Sequence, residues 1–329
     1  MQSRTVGRGV QVTRYGFGAA PIGNLFAAVG DDEAREAVDA AWAAGVRYFD
    51  TAPHYGLGLS ERRLGAALRD RPRDSYALST KVGRLIVPAE DAAAGHEPPA
   101  GGGRDDQGFD VPATRRRVWD FSRDGVRRSI EESLSRLGLD AVDIALIHDP
   151  DDHWAQAVGE AYPALAELRD QGVVKAIGAG MNQWEMLEGF VKETDLDVVM
   201  LAGRYTLLDQ SGGARLLPLC QERGVAVFAA GVFNSGLLAT HEPAGTYEYA
   251  PAPGPLVERA RRIAAVCERY DVTLPQAALA FPLRHPAVSC VVSGARSAAE
   301  VERNAALAAV PVPGELWTAL AEESLVTLG

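Results

Sequence analysis

Cysteine is scarce, and its spacing excludes two kinds of architecture. Only Cys220, Cys267 and Cys290 occur in 329 residues, odd in number and far apart. No CxxC pair is present, so neither a disulfide framework nor a zinc knuckle is expected, and three small packed side chains in a reducing compartment are. Long apolar runs are missing too. The opening stretch MQSRTVGRGVQVTRYGFG has no hydrophobic segment of the secretory kind, and runs such as 226–232 fall far short of the ~20 residues that cross a bilayer. A cytoplasmic location is expected on that basis. Basic charge is in short supply: 33 Lys and Arg face 44 Asp and Glu, for a net charge of −11. Such a surface repels phosphate backbones and anionic lipid, which argues against nucleic acid and membranes as partners.

A dinucleotide-binding glycine fingerprint is also wanting. The nearest candidate, Gly56-Leu57-Gly58-Leu59-Ser60-Glu61, lacks the third glycine and follows a polar loop instead of a strand. That weakens the case for an open doubly wound sheet.

What is present is a repeat. Short β-branched runs predict strands over 15–18, 46–50, 76–81, 142–148, 174–179, 198–202, 225–229 and 288–293. Helical patterns alternate with them over 32–44, 60–68, 124–137, 154–171, 184–192, 214–223, 255–270 and 297–307. Asp31 or Asp32 can cap the first helix, and Gly138, Gly172 and Gly224 stand where helices must stop before the next strand. Eight such units place the chain in the α/β class as a single (β/α)8 barrel over 1–329. Three segments fall outside the repeat. Residues 5–14 alternate around Gly7-Arg8-Gly9 and predict an N-terminal β-hairpin able to close the barrel bottom. Residues 83–121, rich in Gly, Pro and Asp, form a long loop after the third strand, either an active-site lid or a partly disordered segment, and its place at a strand's C-terminal end favours the lid. Residues 311–323 read as a capped helix or covering segment.

Barrel enzymes work at the C-terminal ends of their strands, so the polar residues that close each strand carry the functional signal. The second strand ends at Asp50, with Tyr55 in the following loop; the third ends at Lys81 and the fourth at His148. A lone strand-end Asp or His is usually a structural anchor, but four such groups at three consecutive strand ends form a proton-transfer set. In it Lys81 is expected to lower the Tyr55 pKa, Asp50 to hold Lys81, and a neutral His148 to orient a substrate oxygen.

These residues also carry a resemblance. The stretch from Phe49 through Asp50-Thr51-Ala52-Pro53-His54-Tyr55-Gly56, with Ser60-Glu61 and Leu64-Gly65, resembles the signature of the aldo-keto reductases. Ser79-Thr80-Lys81-Val82 and Leu146-Ile147-His148 resemble that family's lysine and histidine strands, and the similarity spans 16–304. The resemblance implies a (β/α)8 barrel, no metal, and a nicotinamide cofactor lying extended across the barrel mouth. Tyr55 would be the general acid/base, tuned by Lys81 and Asp50, with His148 orienting substrate.

The resemblance further assigns cofactor contacts to Asn182, Ser235, Gly294, Arg296, Glu300 and Asn304. Two family positions depart. Ala202 stands where a glutamine is usual, and Ala230 where an aromatic stacks on nicotinamide, with Phe233 as its substitute. Glu300, where many NADPH-dependent members carry arginine, would repel a 2′-phosphate, so NAD is expected and NADP is the alternative; Arg296 is the counter-argument. The runs 148–153, 202–210 and 233–238 look like the branch holding aldose 1-dehydrogenases for L-fucose and D-threo-aldoses and pyridoxal 4-dehydrogenases. The implied reaction is oxidation of a lactol to a lactone, the substrate a sugar or pyridoxal-like lactol, with His54, Trp119 and Asp149 as candidate substrate contacts. The alternatives are a general aldehyde or ketone reductase and a non-catalytic cofactor-sensing barrel. A divalent-metal site over His148, Asp149, Asp151, Asp152 and His153 is the minor reading, because Asp151 and Asp152 suit the helix that follows as caps.

Overall fold

The computed structural model describes residues 1–90, 103–243, 245–248 and 250–327. Eight parallel strands close into a barrel: β1 (Tyr15–Gly18), β2 (Tyr48–Asp50), β3 (Ala77–Val82), β4 (Ile144–His148), β5 (Ala176–Met181), β6 (Val198–Ala202), β7 (Ala226–Ala230) and β8 (Val288–Gly294). Each strand pairs with the next, and β8 pairs back onto β1 with Val291 opposite Tyr15. Strands buried on both faces read as nearly unbroken apolar runs, which is why the sequence marks all eight.

The predicted helices form, with ends moved by a residue or a few. The 154–171 pattern runs through Trp154–Gln156, a wider π-type turn at Ala157–Ala161, and Tyr162–Asp170. Gly138 and Gly224 end their helices in the left-handed conformation. Two caps differ from expectation. Gly30 caps the helix Asp31–Ala43, with Asp31 and Asp32 inside its first turn. His153, not Asp151 or Asp152, precedes Trp154, and no side chain caps that helix end. The helix Leu274–Ala280, opened by a Thr273 cap and Pro275, was not predicted; nearly all of it is buried, so it lacks the polar face that a periodic pattern requires.

The barrel interior is filled at one end by Tyr48, Ile144, Leu146, Val198, Met200 and Phe228. The hairpin Ser3–Val6 and Val10–Thr13 inserts Val6, Val10 and Val12 into that cluster, so the lower end is a packed plug. Chemistry is thereby confined to the opposite mouth. The long insertion is built differently from a bare loop. Its ends pair as an antiparallel ribbon, Arg84–Pro88 with Arg115–Trp119, that stands on the mouth side directly after β3. Phe109 and Val111 fold in from it, against Leu57 and Ile86 and beside Leu25 and Tyr55. Residues 91–102 of the expected lid lie outside the described residues.

Candidate active site

Register brings the strand-end residues together. Asp50 is paired to Ser79 across β2 and β3, and Lys81 to Leu146 across β3 and β4. Lys81 Nζ donates to Asp50 Oδ2 at 2.7 Å, to the Thr51 carbonyl at 3.0 Å, and to the Tyr55 hydroxyl at 3.0 Å. Three ammonium protons thus have three acceptors. Asp50 uses its other oxygen to accept from Ser79 Oγ at 2.6 Å, and Ser79 in turn lies 2.8 Å from the Tyr48 hydroxyl. Tyr55 and His148 meet edge to face, with ring centroids 5.9 Å apart.

The loop from Asp50 to Tyr55 is fixed by buried polar contacts. Thr51 bonds Ser60, Ser60 donates to the Ala19 carbonyl, and Thr80 donates to the fully buried Glu61, whose other oxygen takes Arg136. Gly56 sits at φ 61°, and a Cβ there would come within 2.2 Å of the Gly23 carbonyl oxygen. Only glycine lets the tyrosine loop approach that closely.

Electrostatics correct one expectation. Burial pushes the Tyr55 phenol up to about 12; Lys81 pulls it down, and Asp50 opposes part of that pull. The phenol is therefore held protonated, not acidified. Burial also works against the Lys81 ammonium, yet Asp50 and Tyr55 outweigh it and hold the pKa above its ordinary value. His148 is held well below the usual imidazole range by burial and by Arg84 and Lys81, so it is neutral.

Of the substrate candidates, His54 packs against His148 at 5.7 Å and Tyr55 at 5.9 Å. Asp149 lies beside His148, 3.5 Å from Nε2, in a left-handed conformation at φ 43°. Trp119 reaches the group through Arg84, whose guanidinium stands 4.3 Å from its ring. Arg84, not singled out in the sequence, donates to Asp149 Oδ2 at 2.5 Å. Among the described residues no three His, Cys, Asp or Glu side chains group as metal ligands.

All seven candidate cofactor residues line one cavity of about 570 Å³ beside the mouth. Pro21 and Leu25 line it as well. That size suits a small-molecule or cofactor site, for which ~300–1,000 Å³ is usual. Asn182 donates to the carbonyl of Ala202 at 2.9 Å, so the backbone of the residue that replaces the family glutamine steadies the asparagine. Asn234, on the cavity wall, has its buried Oδ1 without a hydrogen-bond partner among the described residues. A cavity lined by an orphaned amide oxygen and by the first turns of the helix Ala298–Ala309 fits a nicotinamide dinucleotide.

A model of the aldo/keto reductase family matches residues 14–323. The chain belongs to the aldo/keto reductase family. It is 49% identical over 321 residues to the D-threo-aldose 1-dehydrogenase of a Pseudomonas species, covering 97% of this chain and 96% of that one. It is 41% identical over 341 residues to the pyridoxal 4-dehydrogenase of Microbacterium luteolum, covering 99% and 98%. Among solved structures, a holo-form aldo-keto reductase of Bacillus halodurans matches with a TM-score of 0.74 at 26% identity, over 99% of this chain and 97% of that one. This aldo/keto reductase is an oxidoreductase of CH–OH groups that works with a nicotinamide cofactor.

Proposed function

We propose that this aldo/keto reductase oxidises the anomeric carbon of an aldose to a lactone, with NAD preferred to NADP. The observation that carries the reading is the 3.0 Å contact between the Tyr55 hydroxyl and Lys81, beside a neutral His148 and next to the cofactor cavity. A bound nicotinamide supplies the two-electron acceptor for the hydride that leaves the substrate carbon. The anomeric hydroxyl proton goes to the Tyr55 oxygen, which must have lost its own proton first; the C–H and O–H bonds break as the C=O bond forms. His148, neutral and therefore able to donate one N–H, holds the substrate oxygen toward Tyr55. The relative that oxidises a D-threo-aldose supports the sugar reading.

The preference for NAD rests on how Glu300 is used. Its carboxylate accepts the Arg296 backbone N–H at 3.0 Å and lies 3.8 Å from the Arg296 side chain, while Ser297 caps the Glu300 N–H. Arg296, the cation that could clamp a 2′-phosphate, is already paired with a carboxylate, and an N–H next to the helix start is consumed. Added negative charge there meets Glu300, whereas ribose hydroxyls can bond it. Absorbance of reduced cofactor, followed across L-fucose, D-threo-aldoses and pyridoxal with NAD and NADP in parallel, tests both claims. Turnover of an aldose with NAD is expected. Turnover of pyridoxal alone would reject the sugar reading, and a strong NADP preference would reject the role of Glu300.

A further inference from the structure

A second cavity, of about 560 Å³, lies toward the end of the barrel opposite the mouth. It takes in Arg14 and Tyr15 where β1 begins, and the last residues of two helices, Leu274–Ala280 and Ala298–Ala309. One helix divides it from the cofactor cavity. Glu300, Arg303 and Asn304 of Ala298–Ala309 line the cofactor cavity, and Ala305, Ala308 and Ala309 line this one. Its volume is in the range usual for small-molecule sites, ~300–1,000 Å³.

The charge in it runs against that of the molecule. In a chain of net charge −11, the charged side chains here are Arg14 and Arg284, and among the described residues no Asp or Glu lines the cavity. Arg14 gives one nitrogen to the Leu283 carbonyl at 2.9 Å, and Arg284 stands 5.2 Å from the Trp317 ring. The other guanidinium nitrogens of Arg14 have no partner among the described residues and are not enclosed. Burial holds both guanidiniums below their ordinary pKa, and no carboxylate is among the groups that act on them. The two helix ends favour positive charge, but each carries only about half a unit of negative charge, so two guanidiniums leave roughly one positive charge over. The walls are largely apolar, from Leu279, Leu283, Val291, Ala308 and Trp317. Met1 and Val310, which also line the cavity, are 53% and 52% exposed, unusual for large apolar side chains in this fold.

We propose that this second cavity binds a small organic monocarboxylate with an apolar body, its carboxylate held by Arg14 and Arg284 and its body by Leu283 and Trp317. A single negative charge balances the excess, and a guanidinium presents N–H donors in the geometry a carboxylate accepts. The apolar body covers surface that Met1 and Val310 otherwise expose to water. A sugar or a nucleotide fits worse, because walls so apolar leave most of its hydroxyls unpaired.

Titration calorimetry of the full chain tests this with three probes: octanoate below its micelle concentration, octanamide as its uncharged counterpart, and acetate as the charge without the body. Octanoate is expected to bind about tenfold or more tighter than either of the others. Its affinity is expected to be the same with saturating NAD, because the helix Ala298–Ala309 keeps the two cavities apart. Arg14→Gln and Arg284→Gln are each expected to weaken octanoate about tenfold and to leave octanamide unchanged. Arg284 is exposed, so its variant decides the matter if R14Q does not fold. Absence of octanoate binding would overturn the proposal, as would equal affinity for octanoate and octanamide, or for octanoate and acetate. Displacement by NAD would place the ligand in the cofactor cavity, and full affinity in both arginine variants would place it elsewhere on the molecule; either result also overturns it.

Discussion

At the residue scale the site is a balance between burial and one ion pair. The sequence leads one to expect an ammonium near Tyr55, and the structure adds that burial of the phenol outweighs it and that Asp50 opposes its pull. The phenol is pushed up to about 12, so its protonated form dominates at neutral pH. The consequence for the reaction has a definite sign. Oxidation needs the deprotonated oxygen, whose population grows about tenfold per pH unit below the pKa, so kcat/KM for aldose oxidation is expected to climb through the alkaline range. Lys81→Met removes the only group among the strongest influences that favours the deprotonated form and is expected to slow oxidation at fixed pH by about 100-fold or more. A pH–rate profile of both proteins checks this, and a flat wild-type profile would count against it. Arg84 was invisible in the sequence for a related reason. A single arginine after a strand gives no signal, and its pairing with Asp149 arises only when the β3 and β4 ends become neighbours.

At the element scale, the helix Leu59–Leu68 sets where Tyr55 stands. Its Glu61, fully enclosed, takes Thr80 from β3 and Arg136 from the next helix, tying the tyrosine loop to the lysine strand. Arg136→Ala leaves that carboxylate without its cation and is expected to cost about 3–5 kcal/mol of stability, read from chemical denaturation. A loss under about 1 kcal/mol would show that the pair is not what fixes the loop. The eight barrel strands and the helices around them, Leu274–Ala280 excepted, were legible because strands covered on both faces and helices with one apolar face leave strong periodic marks. The ribbon inside the insertion was not. Arg115–Trp119 opens with three arginines and carries no alternating apolar face, so its pairing with Arg84–Pro88 depends on burial between the mouth and the ribbon. Glu300 was legible as a charge but not as a partner of the Arg296 backbone, since that contact needs the helix start to be in place.

At the scale of the whole molecule, the hairpin plug and the open mouth give the barrel one working face, and the main core, which includes the packing between strands and helices, holds protonated groups that resist ionisation. Burial pushes the Cys220 and Cys267 thiols and the Tyr15 phenol up to about 12. Below the unfolded values, near 9 for thiols and 10 for phenols, folded and unfolded chains hold these protons alike. Above them the unfolded chain releases protons that the folded chain keeps, so stability is lost as pH rises toward 12. The melting temperature is expected to fall steadily from pH 9 to 11, and one that holds constant would contradict this burial. The reaction itself is tested most directly by NAD reduction on a neutral aldose, comparing wild type with Tyr55→Phe. The phenylalanine variant keeps the ring packing against Phe109 and His148 and lacks only the oxygen that exchanges the proton. Its kcat is expected to fall by about 100-fold or more while NAD binding stays within a few-fold of wild type. Full turnover by that variant would mean that the proton leaves by another route, and that the Tyr55–Lys81 contact is not the centre of this enzyme's chemistry.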